Sequence, residues 1–389
     1  MAVMKSPLII VESPSKIKTL KKFLDNKYTI EASVGHFRDL PKSKLGIEVD
    51  DGFSAEYHVP QDSAKTVKAM KAALKKSDAL FIATDPDREG EAIAWHIVDE
   101  LKPKVPIKRL VFNEITKTAI LESFKHTRDI DANLVDAQET RRFLDRLFGF
   151  MVSEKMWFNM KSGVSAGRVQ SPAVKILVDR EKQRTQFKQN EYWSINGDFN
   201  NKAGELNAKL IKIGDQKIAI GNSFDKKTGT LFNKDDIVLD EKTANELTQK
   251  IKDDEWVVDK LEQKPVTQKP YPPFITSTLQ QEGIRQFRMS AQNVMRVAQT
   301  LYENGYITYM RTDSVHLSNE AISASRAAIK SLYGEKFLPS SAIQYSSKVK
   351  NAQEAHEAIR PAGSKFIHPD ELKNKLDSNQ LRLYTLIWK

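Results

Sequence analysis

The stretch Phe81-Ile82-Ala83-Thr84-Asp85-Pro86-Asp87-Arg88-Glu89-Gly90-Glu91 decides the fold. An apolar run ends in three acids at alternate positions, Asp85, Asp87 and Glu89, and Gly90 then lets a helix begin. Such a run reads as a β-strand delivering its carboxyl end into a loop, and in open α/β sheets those ends form the functional edge. Glu12 holds the same place after a second apolar run, Leu8-Ile9-Ile10-Val11. If the two strands are neighbours, Glu12, Asp85, Asp87 and Glu89 converge. So many carboxylates repel one another unless a cation or shared protons relieve the charge, and hard oxygen ligands suit Mg2+. The competing reading is a solvated acidic turn whose acids complement the dipole of the following helix. The second acid-tipped strand favours the metal.

Outward from this stretch, short apolar runs alternate with amphipathic helices. A helix is expected over about Ser15 to Leu24 and another from Gly90 to Leu101. A further strand, Arg109 to Phe112, leads to a helix that Thr116 can cap. Strands separated by helices imply an α/β domain with a mainly parallel sheet, spanning 1–130. Residues 131–188 read as helical, with Leu134, Phe143, Leu144, Leu147, Val174, Leu177 and Val178 at helical spacing. Residues 189–268 turn to β-like alternation, as in Tyr192-Trp193-Ser194-Ile195 and Lys217-Ile218-Ala219-Ile220. Lys264 to Pro273, with four prolines, reads as a linker. In 269–389, Ser277 with Gln280 suggests a capping box, Ser290 opens a second helix and Gly305 closes it. That second helix should bury Val294, Val297, Ala298 and Leu301, and a strand from Tyr306 to Arg311 follows. Two helices and a strand imply a winged-helix-like core.

At 389 residues the chain is too long for one core, so two to four domains are expected. Lys and Arg (61) outnumber Asp and Glu (51), giving +10, a balance that favours a polyanionic partner such as nucleic acid. With no cysteine, a disulfide framework, thiol catalysis and Cys-ligated zinc are excluded within these residues. No apolar stretch approaches the roughly 18 to 20 residues that cross a bilayer, so no membrane association is expected. The N-terminus lacks a signal-peptide pattern, and the expected location is the cytoplasm.

The second chemical signal is Gly305-Tyr306-Ile307-Thr308-Tyr309-Met310-Arg311-Thr312-Asp313-Ser314. On a strand, Tyr309 and Arg311 share a face. A phenol with a pKa near 10 is a poor nucleophile at neutral pH. A neighbouring guanidinium would favour the phenolate or hold the phosphate it attacks. Read alone, a strand tyrosine is far more often a packing residue.

Together these residues resemble the type IA DNA topoisomerases, most of all the bacterial topoisomerase I group. The resemblance rests on Val11-Glu12-Ser13-Pro14-Ser15-Lys16, on Ser33-Val34-Gly35-His36-Phe37-Arg38-Asp39-Leu40-Pro41, and on Asp85 to Glu91 continuing through Trp95-His96. Ser165-Ala166-Gly167-Arg168-Val169-Gln170-Ser171 and Tyr306 to Ser314 complete it, in family order along almost the whole chain. It implies a multidomain fold of the type IA toroid. Its parts are an N-terminal Toprim domain (a Rossmann-like parallel sheet) at 1–130, the first half of a helical base domain at 131–188, the first half of a β-rich hinge domain at 189–268, and a winged-helix-like catalytic-tyrosine domain at 269–389.

The implied activity is cleavage of one DNA strand through a 5′-phosphotyrosine link, passage of another strand, and religation. That relaxes negative supercoils without ATP, and no Gly-x-x-x-x-Gly-Lys-Ser/Thr loop is present. In this reading Tyr309 is the nucleophile and Arg311 stabilises the phosphate or phenolate. Lys16 contacts the phosphate, Glu12 assists proton transfer to the leaving 3′ oxygen, and Glu12, Asp85, Asp87 and Glu89 form the Mg2+ site. DNA contacts are implied for His36, Arg141, Arg142, Asp145, Arg146, Ser165, Arg168, Gln170, Arg311, Asp313 and His356, with single-stranded or underwound DNA as the partner. The competing readings are a helix ion pair for Arg141 and Asp145, and hydrogen-bonded core histidines for His36 and His356. A monomer is expected.

Two coincidences are discarded. Ser13-Pro14-Ser15-Lys16 and Lys227-Thr228-Gly229 imitate β-lactamase elements, but Ser-Asp-Asn is missing. His356-Glu357 has Arg360 where a zincin needs histidine. The rivals are a Toprim nuclease or primase, which would not use Tyr309, and a DNA-binding module without turnover. The chain stops in an apparently helical run, Gln380 to Ile387, where family members continue. A C-terminally truncated piece that carries the site but cannot close the toroid is therefore expected.

Overall fold

The computed structural model describes residues 6–25, 27–202, 204–345 and 357–389. The chain divides into two compact units, Met1–Leu147 with Lys269–Lys389, and Phe148–Gln268.

The first unit is built on β1 (Leu8–Val11), α1 (Pro14–Phe23), β2 (Thr29–Ala32), a small hairpin of β3 (Ile47–Glu48) and β4 (Ser54–Ala55), α2 (Ala64–Leu74), β5 (Leu80–Ile82), α3 (Arg88–Leu101), β6 (Ile107–Arg109) and α4 (Lys117–Ser123). The main sheet is parallel throughout, in the order β2-β1-β5-β6. Leu8 lies opposite Leu80 and Ile10 opposite Ile82, so the strands that end at Glu12 and Asp85 are neighbours in register. All four β1 residues are buried because the sheet is covered on both faces. Ile9 and Val11 face one core, with Ala83, Leu110, Leu301 and Tyr309, while Leu8 and Ile10 face another, with Met70, Ile82 and Ile97. Each such side chain contributes roughly 1.5–3 kcal/mol.

The expected strand at Arg109 to Phe112 is displaced, since β6 ends at Arg109. After Leu110 donates to the Ile82 carbonyl the chain leaves the sheet, although Leu110 and Phe112 remain buried. Thr116 caps α4 as expected, accepting from Ala119 N at 3.2 Å.

The long helix α5 (Ala132–Asn159) is followed by α6 (Gln170–Gln186). No residue of α6 is buried among those described, and Val174, Ile176, Leu177 and Val178 are 46–69% exposed. The second unit also contains β7 (Asn196–Asn201) paired with β8 (Gly204–Lys209), β9 (Lys212–Ile213) paired with β10 (Gln216–Lys217), and the helix α7 (Glu241–Ile251). The alternation reading missed α7, whose Asp240 cap accepts from Thr243 N at 2.7 Å. Tyr192 to Ile195 precede the first strand rather than forming one.

The first unit resumes with α8 (Thr276–Phe287), α9 (Ala291–Glu303), α10 (Asn319–Tyr333) and α11 (Ser378–Trp388). Ser277 does not cap α8. The cap position falls two residues earlier, at Ile275, whose N–H is taken by Thr278 Oγ1. Ser290 does cap α9, and Val294, Val297, Ala298 and Leu301 are buried along it. Gly305, at φ +74, ends the turn, and a Cβ there would stand 2.4 Å from the Ile115 carbonyl oxygen.

The expected strand Tyr306 to Arg311 does not form: the segment bends at Tyr306 and Met310 and belongs to no ladder. Thr308 N donates to Arg360 O, whereas the next amide, Tyr309 N, donates to Asn113 O. Alternate partners on two sides leave only an isolated bridge between Ile307 and Pro361. No helix among the described residues is long and apolar enough to cross a membrane.

Candidate active site

The sheet edge and the tyrosine segment meet. Tyr309 is 2% exposed, and its hydroxyl donates to Asp87 Oδ2 at 2.6 Å. Arg311 Nη1 lies 3.5 Å from the same oxygen, with its side chain 54% exposed. The shared face expected for Tyr309 and Arg311 thus converges on Asp87. The other Asp87 oxygen accepts from Gly90 N at 2.8 Å and caps α3. Gly90 is required here, because a Cβ would lie 2.1 Å from the Asp85 carbonyl oxygen.

Ser13 caps α1, which starts directly after β1 and turns Lys16 back under the sheet edge. Lys16 is fully buried, lies 3.2 Å from Glu12 Oε1 and donates to Asp85 Oδ1. Glu12 Oε2 accepts from Asp85 N at 3.2 Å. Burial opposes the Lys16 charge, but Asp85 and Glu12 outweigh it and hold the ammonium above its ordinary value. Burial pushes Asp85 up to about 7; Lys16 opposes this and the Glu12 side chain reinforces it. Glu12 itself moves down: burial is outweighed by its hydrogen bond with Asp85 and by Lys16. The two carboxyls titrate as a pair, with burial favouring the proton on Asp85 and Lys16 favouring charge on Glu12.

Glu89 accepts from His36 Nε2 at 3.1 Å and from Gln138 Nε2 at 3.2 Å, and pairs with Arg141 at 3.3 Å. The His36 hydrogen bond lowers Glu89 to about 2, against burial and with help from Gln138 and Arg141. His36 is 41% exposed, so it is no core histidine. Val34, two residues earlier, is 60% exposed at φ +58, a conformation disfavoured for a β-branched residue. Glu12, Asp85, Asp87, Glu89, Arg141 and Arg311 line one cavity of about 720 Å³.

For Tyr309 the phenolate is not favoured. Burial, then Asp85 and Asp87, raise its pKa far above the ordinary phenol value, and Arg311 offsets this only in part. The tyrosine is a neutral phenol whose proton points at a carboxylate.

Other predicted contact residues have structural partners. Arg142 donates to Asp39 Oδ1 at 3.1 and 2.6 Å. Arg146 donates to the carbonyls of Leu45 and Lys44 at 3.1 and 2.7 Å, so both arginines brace the loop after His36. Asp145 lines a second cavity with His36, Tyr57 and His96, and Asp313 a third with Thr276 and Arg311. Ser165, Arg168 and Gln170 belong to the second unit. His356 lies outside the described residues.

Sequence reasoning missed several residues around the site. Tyr302 is fully buried, with its ring 5.1 Å from that of Tyr309 and Lys16 Nζ 5.4 Å from its centroid. Glu303 accepts from Ser15 Oγ and from Gln299. Arg109, also fully buried, donates to the carbonyls of Ile82, Thr84 and Asp85 and to Glu91. A tyrosine or arginine on an element that looks merely amphipathic carries no local signal of such a role.

The donor set fits magnesium in kind, being hard carboxylate oxygens beside a cavity. Among the described residues, however, no three His, Cys, Asp or Glu side chains form a ready metal cage. Mg2+ commonly takes one or two carboxylates and fills its shell with water and substrate phosphate, for which a cage is unnecessary.

A parallel sheet with acid-tipped strands, facing a buried tyrosine on a separate segment, defines a Toprim protein with a tyrosine poised at its acids. Residues 7–115 match the Toprim domain, a metal-binding domain typically for Mg2+, and residues 129–389 match the family described as DNA topoisomerase. The chain is 49% identical over 397 residues to DNA topoisomerase 1 of Synechococcus elongatus, covering 98% of this chain and 45% of the relative. It is 46% identical over 404 residues to DNA topoisomerase 1 of Mycolicibacterium smegmatis, covering 98% and 43%. Full-length topoisomerase I from Thermotoga maritima superposes with a TM-score of 0.77 at 37% identity, over 98% of this chain and 59% of that one. The chain belongs to the bacterial type IA DNA topoisomerase family. It spans less than half the length of these two sequence relatives.

Proposed function

We propose that the protein cuts one DNA strand by attack of the Tyr309 oxygen on a backbone phosphate, holds the 5′ end covalently, and reseals it after strand passage. The observation that carries this reading is the 2.6 Å hydrogen bond from Tyr309 to Asp87, residues 222 apart in sequence. As the phenolic oxygen bonds to phosphorus, its proton passes to Asp87 Oδ2 and the bond from phosphorus to the 3′ oxygen breaks. That oxygen leaves as a hydroxyl, taking its proton from the Glu12–Asp85 pair. Arg311 neutralises charge on the phosphate oxygens, and Lys16, buried between Asp85 and Glu12, acts on them through that pair. Religation reverses each step. One phosphoester replaces another, so ATP is not consumed.

Asp85 and Asp87, with Glu89 and Glu12 nearby, are the carboxylates we assign to Mg2+; the ion would supply electrostatic stabilisation of the phosphate. Arg141, Arg142, Arg146, Arg168 and Arg311 would follow the backbone of single-stranded DNA, with His36, Asp145, Ser165, Gln170, Asp313 and His356 alongside. Relaxation of negative supercoils by a monomeric protein in the bacterial cytoplasm belongs to this same reading.

The test is to incubate the protein with a 3′-labelled single-stranded oligonucleotide and Mg2+, then add denaturant. Protein-linked label that disappears in Tyr309→Phe supports the proposal. Free nicked ends that persist in that variant support a Toprim nuclease instead.

A further inference from the structure

The segment that carries Tyr309 has no sheet to hold it, yet its hydroxyl is aimed at Asp87. What fixes it is a pair of contacts to two distant stretches. Thr308 Oγ1 donates to Ala358 O at 2.8 Å and accepts from Arg360 N at 3.0 Å, while Tyr309 N donates to Asn113 O at 2.8 Å. The residues next to these contacts are themselves joined. Arg360 Nη1 donates to Glu114 Oε2 at 3.0 Å, and the same carboxylate oxygen accepts from Gly363 N at 3.0 Å. Arg360 is further held by Glu357, at 3.3 and 2.5 Å, and by the Pro361 carbonyl. Arg360 and Glu114 are 5% and 8% exposed. The Toprim side and the 357–363 side are therefore locked together directly beside the hydrogen bonds that seat the nucleophile.

We infer that Glu114 and Arg360 are positioning residues for Tyr309, their buried bridge setting the reach of its hydroxyl to Asp87. The inference rests on the proposed tyrosine chemistry. Neither residue touches the reacting atoms. A buried pair is weak evidence of net stabilisation, because desolvation offsets much of the attraction, but it fixes geometry when its lone pairs and N–H groups are satisfied, as here. An error near 1 Å in a nucleophile's placement can cost about 100-fold in rate.

The experiment measures single-turnover adduct formation with the 3′-labelled single-stranded oligonucleotide for the parent, Glu114→Gln, Arg360→Gln and the double variant. Oligonucleotide affinity and folded fraction are measured for each. Glu114→Gln keeps an acceptor for Gly363 N, so it is the variant suited to retain the fold. The expected result is a rate per folded molecule lowered on the order of 10- to 100-fold in each single variant, with affinity unchanged. The double variant should be no slower than the worse single one, because the two act through one bridge. Unchanged rates per folded molecule, or losses that multiply in the double variant, overturn the inference while leaving Tyr309 as nucleophile. A parent that forms no adduct overturns the tyrosine chemistry and this inference together.

Discussion

The Tyr309 hydroxyl donates to Asp87 Oδ2 at 2.6 Å, while the other oxygen of Asp87 caps α3. One carboxylate therefore serves both the nucleophile and the helix that follows the acids. Asp87→Asn keeps a good cap but removes the proton acceptor. Adduct formation should fall roughly 10²- to 10⁴-fold, with little change in melting temperature or oligonucleotide affinity. A cleavage rate equal to the parent's would show that Asp87 does not take the proton.

Gly90 permits the close return of α3 over Asp85. Gly90→Ala drives a methyl group into the Asp85 carbonyl oxygen. Overpacking against backbone should cost about 1–3 kcal/mol in urea unfolding, and activity should fall further than the folded fraction does. Activity that simply tracks folded protein would mean the acids tolerate the displacement.

Glu91 is fully buried between Arg109 and Arg128, and Arg109 ties it to the main chain of Ile82, Thr84 and Asp85. Burial works against the Glu91 charge, but Arg128 and Arg109 outweigh it and hold its pKa below the usual carboxylate range. Glu91→Gln leaves the fully buried guanidinium without its counter-charge and should destabilise the first unit by about 3–5 kcal/mol. Denaturant unfolding checks this, and a loss under 1 kcal/mol would contradict it.

His96 is 4% exposed, and burial, with Arg38 and His36 nearby, lowers its pKa from 6.5 to about 3. The unfolded chain therefore binds a proton below pH 6.5 that the folded protein refuses until about pH 3. The stabilisation is complete above pH 6.5 and declines as pH falls across that window, by at most about 1.4 kcal/mol per unit. His96→Gln should remove this part of the acid slope when unfolding is followed from pH 7 to pH 4. An unchanged slope would place the titration elsewhere.

The sheet and its acid-tipped strands were legible because burial on both faces forces continuous apolar runs, and because a strand end followed by Gly90 has few other readings. The helix α9 was legible from its apolar spacing, and α11 from the helical run Gln380 to Ile387. The tyrosine segment was misread as a strand because Ile307 and Tyr309 look β-like, while the partners that replace a ladder, Asn113 and Arg360, are far away in sequence. Tyr302 and Glu303 were invisible for the same reason: their roles arise from where α9 packs, which no local pattern records. The exposed apolar face of α6 had the right spacing for burial but no partner within the described residues.

Covalent joining of Tyr309 to DNA is read by mass spectrometry of the trapped complex after digestion with protease and nuclease. The expected product is a nucleotide joined through its 5′ phosphate to the peptide containing Tyr309, absent from Tyr309→Phe. A cleaved oligonucleotide with no nucleotide on that peptide, or with the nucleotide on another residue, would contradict it.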